Sequence, residues 1–242
     1  MAIDSLLLTC ARLCTFAGDS HLTNASSFFF ERDSRLFLVT SRHVMRDEAS
    51  GHHPDRIEVD LHVDPDNVAQ FVPFSIPLYR DGASLWRQGV DAAGGVDVAV
   101  IEIDRAALPP SCAYCAFTPS HMVDPGEDID IGASVLIVGF PLGFYDTLHH
   151  MPVARQAAIA SAFGLRFQGQ GYFLTDARTH RGASGAPVAM RVAGSGADKL
   201  PWRLLGVHSS RLDVSARDLN QDEALGLNCT WYADILMTLT EA

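Results

Sequence analysis

The chain has 242 residues, with 29 acidic against 18 basic residues and a net charge of −11. This charge argues against nucleic acid binding, because phosphate contacts require a concentration of lysine and arginine. The length suffices to bury a full hydrophobic core. The N-terminal segment lacks a cationic region, and Asp4 and Arg12 interrupt its apolar residues. A secretory signal and a membrane span are therefore not expected, and a cytoplasmic location is predicted.

Five cysteines are an odd number, which favours reduced thiols over a set of disulfides. Cys112 and Cys115 have the spacing of half a zinc site, but the sequence has no second pair of this kind. A Gly-rich phosphate loop and a dinucleotide-binding motif are also missing. We therefore expect no metal and no cofactor.

Short apolar runs separated by turn clusters predict strands along most of the chain. The clearest runs are, in order, 36–39, 57–63, 70–78, 96–103, 134–138 and 203–207. These runs predict an all-β fold of two antiparallel six-stranded barrels, formed by residues 1–118 and 131–228 and joined by a polar linker at 119–130. Trp231, Ile235, Leu236 and Leu239 have helical spacing, which predicts a C-terminal α-helix beginning at Cys229 within residues 229–242.

Three polar residues stand where such strands end or begin. His43 follows the apolar run at 36–39, and Asp97 opens the run at 96–103 after a glycine pair. Ser184 lies between Gly182 and Gly185, just ahead of another apolar run. A serine nucleophile needs a base within hydrogen-bond reach and a carboxylate that fixes the tautomer of that base. We therefore predict that His43, Asp97 and Ser184 form a catalytic triad.

Gly182 allows the backbone to turn so that the amides of Gly182 and Ser184 can converge on one oxyanion. Alone this pattern is weak, because Gly-Ala-Ser-Gly also occurs in ordinary turns. The order His, Asp, Ser differs from the Ser, Asp, His order of α/β-hydrolases, and Ala186 stands where their nucleophile elbow has glycine.

With these residues the chain resembles the trypsin-like peptidases, in particular the compact bacterial HtrA-type protease domain without a PDZ domain. Further segments that carry the resemblance are Ala-Ser-Ser at 25–27, Val-Gly-Phe-Pro-Leu-Gly at 138–143, Phe-Leu-Thr-Asp-Ala at 173–177 and Leu-Gly-Val-His-Ser at 205–209. Ser27 departs from the glycine that is usual in the family. The resemblance implies a chymotrypsin-like fold and a serine endopeptidase whose active site lies between the barrels.

The resemblance also implies where the side chain that precedes the cleaved bond would bind. This S1 pocket would be lined by Thr179, His208 and Ser210, and Ser209 would support the catalytic aspartate. Thr179 and His208 resemble the pair that glutamyl endopeptidases and picornaviral proteases use to hold Glu or Gln. The alternative is that His208 only packs inside the second barrel and binds a neighbouring carbonyl group.

The expected partner is a protein or peptide substrate. A competing hypothesis is a latent or inactive trypsin-like scaffold that binds peptides, or that needs an activating protein partner. Regulation would then rest on the loops at 46–56, 149–156 and 193–201.

Overall fold

A computed structural model describes residues 3–124, 126–192, 200–213 and 224–241. Its first unit contains the strands β1 (Cys10–Ala17), β2 (Ser20–Arg32), β3 (Arg35–Thr40), β4 (Arg56–His62), β5 (Phe71–Pro77), β6 (Tyr79–Arg80), β7 (Ala83–Ser84), β8 (Trp86–Asp91) and β9 (Gly94–Ile103). Its second unit contains β10 (Ser134–Gly139), β11 (Val153–Ile159), β12 (Tyr172–Asp176), β13 (Pro187–Arg191), β14 (Trp202–Asp213) and β15 (Ala224–Tyr232). The α-helices are α1 (Arg42–Met45) and α2 (Ile235–Leu239), and short 3₁₀ helices occupy Leu7–Thr9, Arg105–Ala107, Pro119–His121, Pro141–Gly143 and Phe167–Gly169.

The first unit is an antiparallel sheet in the order β5-β4-β1-β2-β3-β9-β8, and β6 pairs with β7 in a separate hairpin. It therefore has seven strands in its main sheet, whereas the sequence predicted six. The additional strand, β8, has the sequence Trp-Arg-Gln-Gly-Val-Asp, which lacks the apolar content of a typical strand. It forms because it folds back on β9, with Trp86 opposite Ile101 and Gln88 opposite Ala99.

The second unit is a closed six-stranded barrel in the order β10-β11-β12-β15-β14-β13. Antiparallel pairing of β10 with β13 closes it, with Ile137 opposite Val188. The predicted all-β fold is confirmed, including the strand runs in both units.

The predicted start of the C-terminal helix is wrong. Cys229 and Trp231 belong to β15, which pairs with both β12 and β14, and helix α2 begins only at Ile235. Residues 228–231 of this strand are all buried, because β15 has a neighbouring strand on each side. Trp231 fits a strand period as well as a helical one, so spacing alone could not separate the two structures.

Three hydrophobic clusters hold the fold together. One fills the first unit around Leu38, Ile57 and Ile101, and another fills the barrel around Phe173 and Val188. The third cluster joins the units, because it combines residues of β2, β3 and β9 with residues of β10, β13 and β14. Its members include Phe28, Phe30, Val39, Val98, Val138, Phe140, Val207, Trp231 and Leu236. Burying one such side chain completely stabilises the fold by about 1.5–3 kcal/mol relative to leaving it exposed to water.

Polar contacts also cross between the units. His150, in the loop before β11, has its Nδ1 2.9 Å from Asp60 Oδ2 of β4, and its ring stacks on Phe71 of β5. Arg12 Nη2 donates to the same Asp60 oxygen at 2.9 Å. Of the predicted regulatory loop at 149–156, residues 153–156 belong to β11, and His150 is bound to the first unit. Most of the loop at 193–201 lies outside the described residues.

The described residues between β9 and β10 contain no strand, and the predicted linker at 119–130 falls in this stretch. The domain boundaries themselves stay a prediction. None of the helices in the described ranges has the length and apolar character that crossing a bilayer requires.

Candidate active site

His43 lies in α1, directly after the buried strand β3. The Asp97 side chain, on β9, contacts it twice. The backbone amide of His43 donates to Asp97 Oδ1 at 2.9 Å, and His43 Nδ1 lies 2.7 Å from Asp97 Oδ2. This geometry favours a proton on Nδ1 and leaves Nε2 as the atom that can accept one.

The Asp97 carboxylate remains ionised although it is mostly buried. Burial alone would raise the pKa of Asp97, but the hydrogen bond from His43, the charge of that imidazole and a hydrogen bond from Ser209 together lower it. Arg42 adds a positive charge, with its Nε 3.9 Å from Asp97 Oδ1. The site therefore holds a negative charge behind the His43 ring.

Ser209 contacts both Asp97 and Ser184. Its hydroxyl donates to Asp97 Oδ2 at 2.5 Å, and its carbonyl oxygen accepts a hydrogen bond from Ser184 Oγ at 3.0 Å. Ser184 Oγ makes no hydrogen bond to His43 in this structure. The sequence prediction pointed to the Ser209 hydroxyl but not to its carbonyl group.

His43, Gly182 and Ser184 line one cleft of about 250 Å³. Residues 23–25 of β2 form one wall, and Asp47 and His52 of the loop after α1 form another. Because α1 belongs to the first unit and Ser184 to the second, the cleft lies between the two units.

The backbone before Ser184 has an arrangement that only glycine permits. Gly182 has φ +89°, and a Cβ there would lie 2.6 Å from the carbonyl oxygen of Phe140. The Arg181 carbonyl accepts a hydrogen bond from the Leu142 amide at 2.5 Å. Since the Arg181–Gly182 peptide is trans, the N–H of Gly182 points to the opposite side, away from Leu142. The amides of Gly182 and Ser184 have no hydrogen-bond acceptor among the described residues.

Sequence reasoning missed the residue that holds this loop from the other unit. Ser26 of β2 donates from Oγ to the Gly182 carbonyl at 2.7 Å and accepts from the Phe140 amide at 2.9 Å. Its own amide donates to the Ser184 carbonyl at 3.0 Å. Ser27, which replaces the usual glycine, is fully buried and donates to the Ala11 carbonyl at 2.8 Å.

The predicted S1 residues are not among those that line the cleft. Thr179 is buried, and its hydroxyl donates to Asn228 Oδ1. His208 is only 2% exposed, and its Nδ1 has no partner among the described residues. Burial, with the nearby charges of His43 and Arg211, lowers the pKa of His208 to about 4, so the ring is neutral at pH 7. Ser210 is exposed.

The residues that the structure describes contain no group of three or more His, Cys, Asp or Glu side chains placed to hold a metal ion.

Solved structures resemble this chain over almost its whole length. The serine endoprotease from Yersinia pestis matches with a TM-score of 0.56 and 15% identity, covering 97% of this chain and 62% of that protein. The Rv3671c protease from M. tuberculosis matches in its active form with a TM-score of 0.51 and 17% identity, covering 97% of this chain and 80% of that one. Its inactive form also gives a TM-score of 0.51, with 16% identity and 97% and 88% coverage. At these identities the likeness establishes the fold.

A comparison with curated proteins finds no match. The family model described as trypsin-like peptidase domain matches residues 25–194, a range that includes His43, Asp97 and Ser184. This match spans well over half of the chain and agrees with the two-unit β fold, so the chain belongs to the trypsin-like peptidase family.

Proposed function

We propose that the protein is a serine endopeptidase that hydrolyses peptide bonds through an acyl-enzyme, with Ser184 as nucleophile, His43 as general base and Asp97 as the carboxylate behind it. The observation that carries the proposal is the double contact of Asp97 with His43, 2.7 Å to Nδ1 and 2.9 Å to the backbone amide. A protein or peptide is accordingly the proposed substrate. A cytoplasmic location and an activating partner stay predictions.

In the proposed reaction, the Ser184 hydroxyl turns from the Ser209 carbonyl toward His43 Nε2 and attacks the substrate carbonyl carbon. Its proton passes to Nε2, and the imidazolium that forms is stabilised by Asp97. The imidazolium then gives the proton to the leaving amine, and water releases the acyl group by the same path. The unpaired amides of Gly182 and Ser184 are the proposed donors to the oxyanion, and one such donor typically contributes about 10²–10³ in rate.

The hydrogen bond from Ser184 Oγ to the Ser209 carbonyl favours a second candidate. In that conformation the hydroxyl is not activated by His43. A chain that stays in it would be a latent peptidase or a module that binds peptides without cleaving them.

A fluorophosphonate probe separates the two candidates. We expect the purified chain to be labelled covalently at Ser184 Oγ, because the phosphorus centre requires an activated hydroxyl and an oxyanion site. Intact-mass and peptide mass spectrometry measure the adduct and its position.

Ser184→Ala and His43→Ala should both abolish this labelling. The matched control is His52→Ala, which removes another histidine of the same cleft, whose ring Nε2 lies 3.0 Å from the Val44 carbonyl oxygen. A folded wild-type chain that takes no label would contradict the peptidase proposal and support the binding module.

We further propose that Thr179 and His208 select Glu or Gln before the cleaved bond. A buried imidazole nitrogen without a partner costs about 1–3 kcal/mol, and a carboxylate or amide oxygen of a substrate would satisfy it. The neutral ring can still donate from one nitrogen.

Cleavage after Glu or Gln should therefore exceed cleavage after Lys or Phe in a peptide library read by mass spectrometry. His208→Ala should reduce cleavage after Glu selectively, whereas His62→Ala, which removes a buried histidine of the first unit, should change all substrates alike. A strong preference of the wild type for Lys, Arg or Phe would overturn this specificity.

A further inference from the structure

Near His180, four residues before Ser184, lie arginines that have no carboxylate partner among the described residues. Most other arginines of the described chain have an acidic partner, for example Arg12 with Asp60 and Arg35 with Glu102. In contrast, Arg155, Arg178 and Arg211 form no ion pair with any described residue. In a protein of net charge −11, such a cluster is not explained by a general excess of cations.

Two of these guanidinium groups, those of Arg155 and Arg178, line the same groove as His180. Burial and the charges of Arg155, Arg178 and Arg211 lower the pKa of His180. They come from three separate segments, since Arg155 lies on β11, Arg178 follows β12 and Arg211 lies on β14. The fold therefore brings together positive charges that are far apart in sequence.

Arg155, Arg178 and His180 line a groove of about 560 Å³, whose other wall contains Leu142 and Phe144. These two apolar side chains are 70% and 69% exposed, so the groove combines positive charge with accessible hydrophobic surface. Repulsion among unpaired cations is unfavourable, and a bound carboxylate would remove it.

The groove adjoins the candidate active site. The Leu142 amide on its wall donates to the Arg181 carbonyl, and Arg181 lines the cleft that contains Ser184. A polypeptide extended through that cleft can therefore also reach the groove.

We propose that Arg155 and Arg178 form an anion-binding subsite that holds an acidic side chain of the substrate polypeptide, with Leu142 and Phe144 contacting an apolar side chain beside it. The inference rests on the proposed peptidase function, because it assigns the occupant as substrate. It names acidic, partly apolar segments as the class of sequence that the protein recognises.

Binding to the Ser184→Ala chain tests the subsite without requiring turnover. The probes are two fluorescein-labelled peptides in an alanine and serine background, one with a Glu-Leu-Glu core and one with Gln-Leu-Gln, followed by fluorescence anisotropy. We expect tighter binding of the Glu peptide at low salt, and a loss of that preference at high salt. Arg155→Gln combined with Arg178→Gln should weaken binding of the Glu peptide about fivefold and leave binding of the Gln peptide unchanged.

Arg80→Gln is the matched control, because it removes an arginine of the β6–β7 hairpin in the first unit, away from this groove. Equal affinity for the two peptides, or a double variant that keeps the preference, would overturn the subsite. The outcome is independent of fluorophosphonate labelling. If the wild type is labelled but shows no preference for the Glu peptide, only the proposed subsite is contradicted. If the chain is not labelled but binds the Glu peptide in an arginine-dependent way, only the proposed peptidase activity is contradicted.

Discussion

Replacing Asp97 with asparagine should lower kcat/KM for peptide hydrolysis by about 10⁴-fold while leaving the fold intact. The carboxylate accepts from the His43 amide, from His43 Nδ1 and from the Ser209 hydroxyl. An asparagine side chain has only one acceptor oxygen and presents an NH₂ group to one of these donors. The imidazole would then favour a proton on Nε2, where it cannot accept the proton of Ser184.

Steady-state hydrolysis of a peptide library substrate measures this effect, and circular dichroism checks that the variant is folded. Asp104→Asn is the matched control, since it changes an exposed aspartate just after the same strand, β9. A variant Asp97→Asn that keeps activity within tenfold of wild type would show that His43 does not depend on this carboxylate.

A second large effect concerns stability. Gly185→Ala should lower the free energy of unfolding by about 4 kcal/mol, because two costs add. Gly185 has φ +86°, and a Cβ there would come closer than 3.0 Å to the Ser26 carbonyl oxygen and to Thr40 Oγ1 and Cα. Neither β2 nor β3 can move away easily, since both are central strands of the first sheet.

Urea denaturation followed by tryptophan fluorescence measures the change. Gly169→Ala separates the two costs, because Gly169 has φ +75° with nothing within 4 Å of its Cβ position. Gly169→Ala should lower the free energy of unfolding by only about 1 kcal/mol, which is the cost of holding an alanine in the left-handed backbone conformation. If both variants lose a similar amount of unfolding free energy, β2 and β3 must move to accommodate the added methyl group.

Much of the fold followed from local patterns. The strands at 57–63, 96–103 and 134–138 alternate or run apolar between turn clusters, and the structure contains each of them as β4, β9 and β10. The family could also be predicted, because histidine, aspartate and serine occur in a specific order within short characteristic segments. The family model confirms it.

Features that depend on contacts between distant segments could not be predicted. Strand β8 forms through its pairing with β9 rather than through its own composition, and the helix at the C-terminus starts later because β15 has partners on both sides. The Ser26 contact with Gly182 joins residues 156 positions apart. Arg155 and Arg178 likewise line one groove although they come from separate segments.

The bonds of Ser26 also bear on how such a protein can be recombined. The loop that carries Gly182 and Ser184 belongs to the second unit. Three of the hydrogen bonds around this loop nevertheless involve one serine of the first unit. A chimaera that joins the first unit of one relative to the second unit of another can keep each separate core and still misplace this loop. The hydrogen bonds of Ser26 therefore make the sequence of β2 in one unit a constraint on the loop that carries Ser184 in the other.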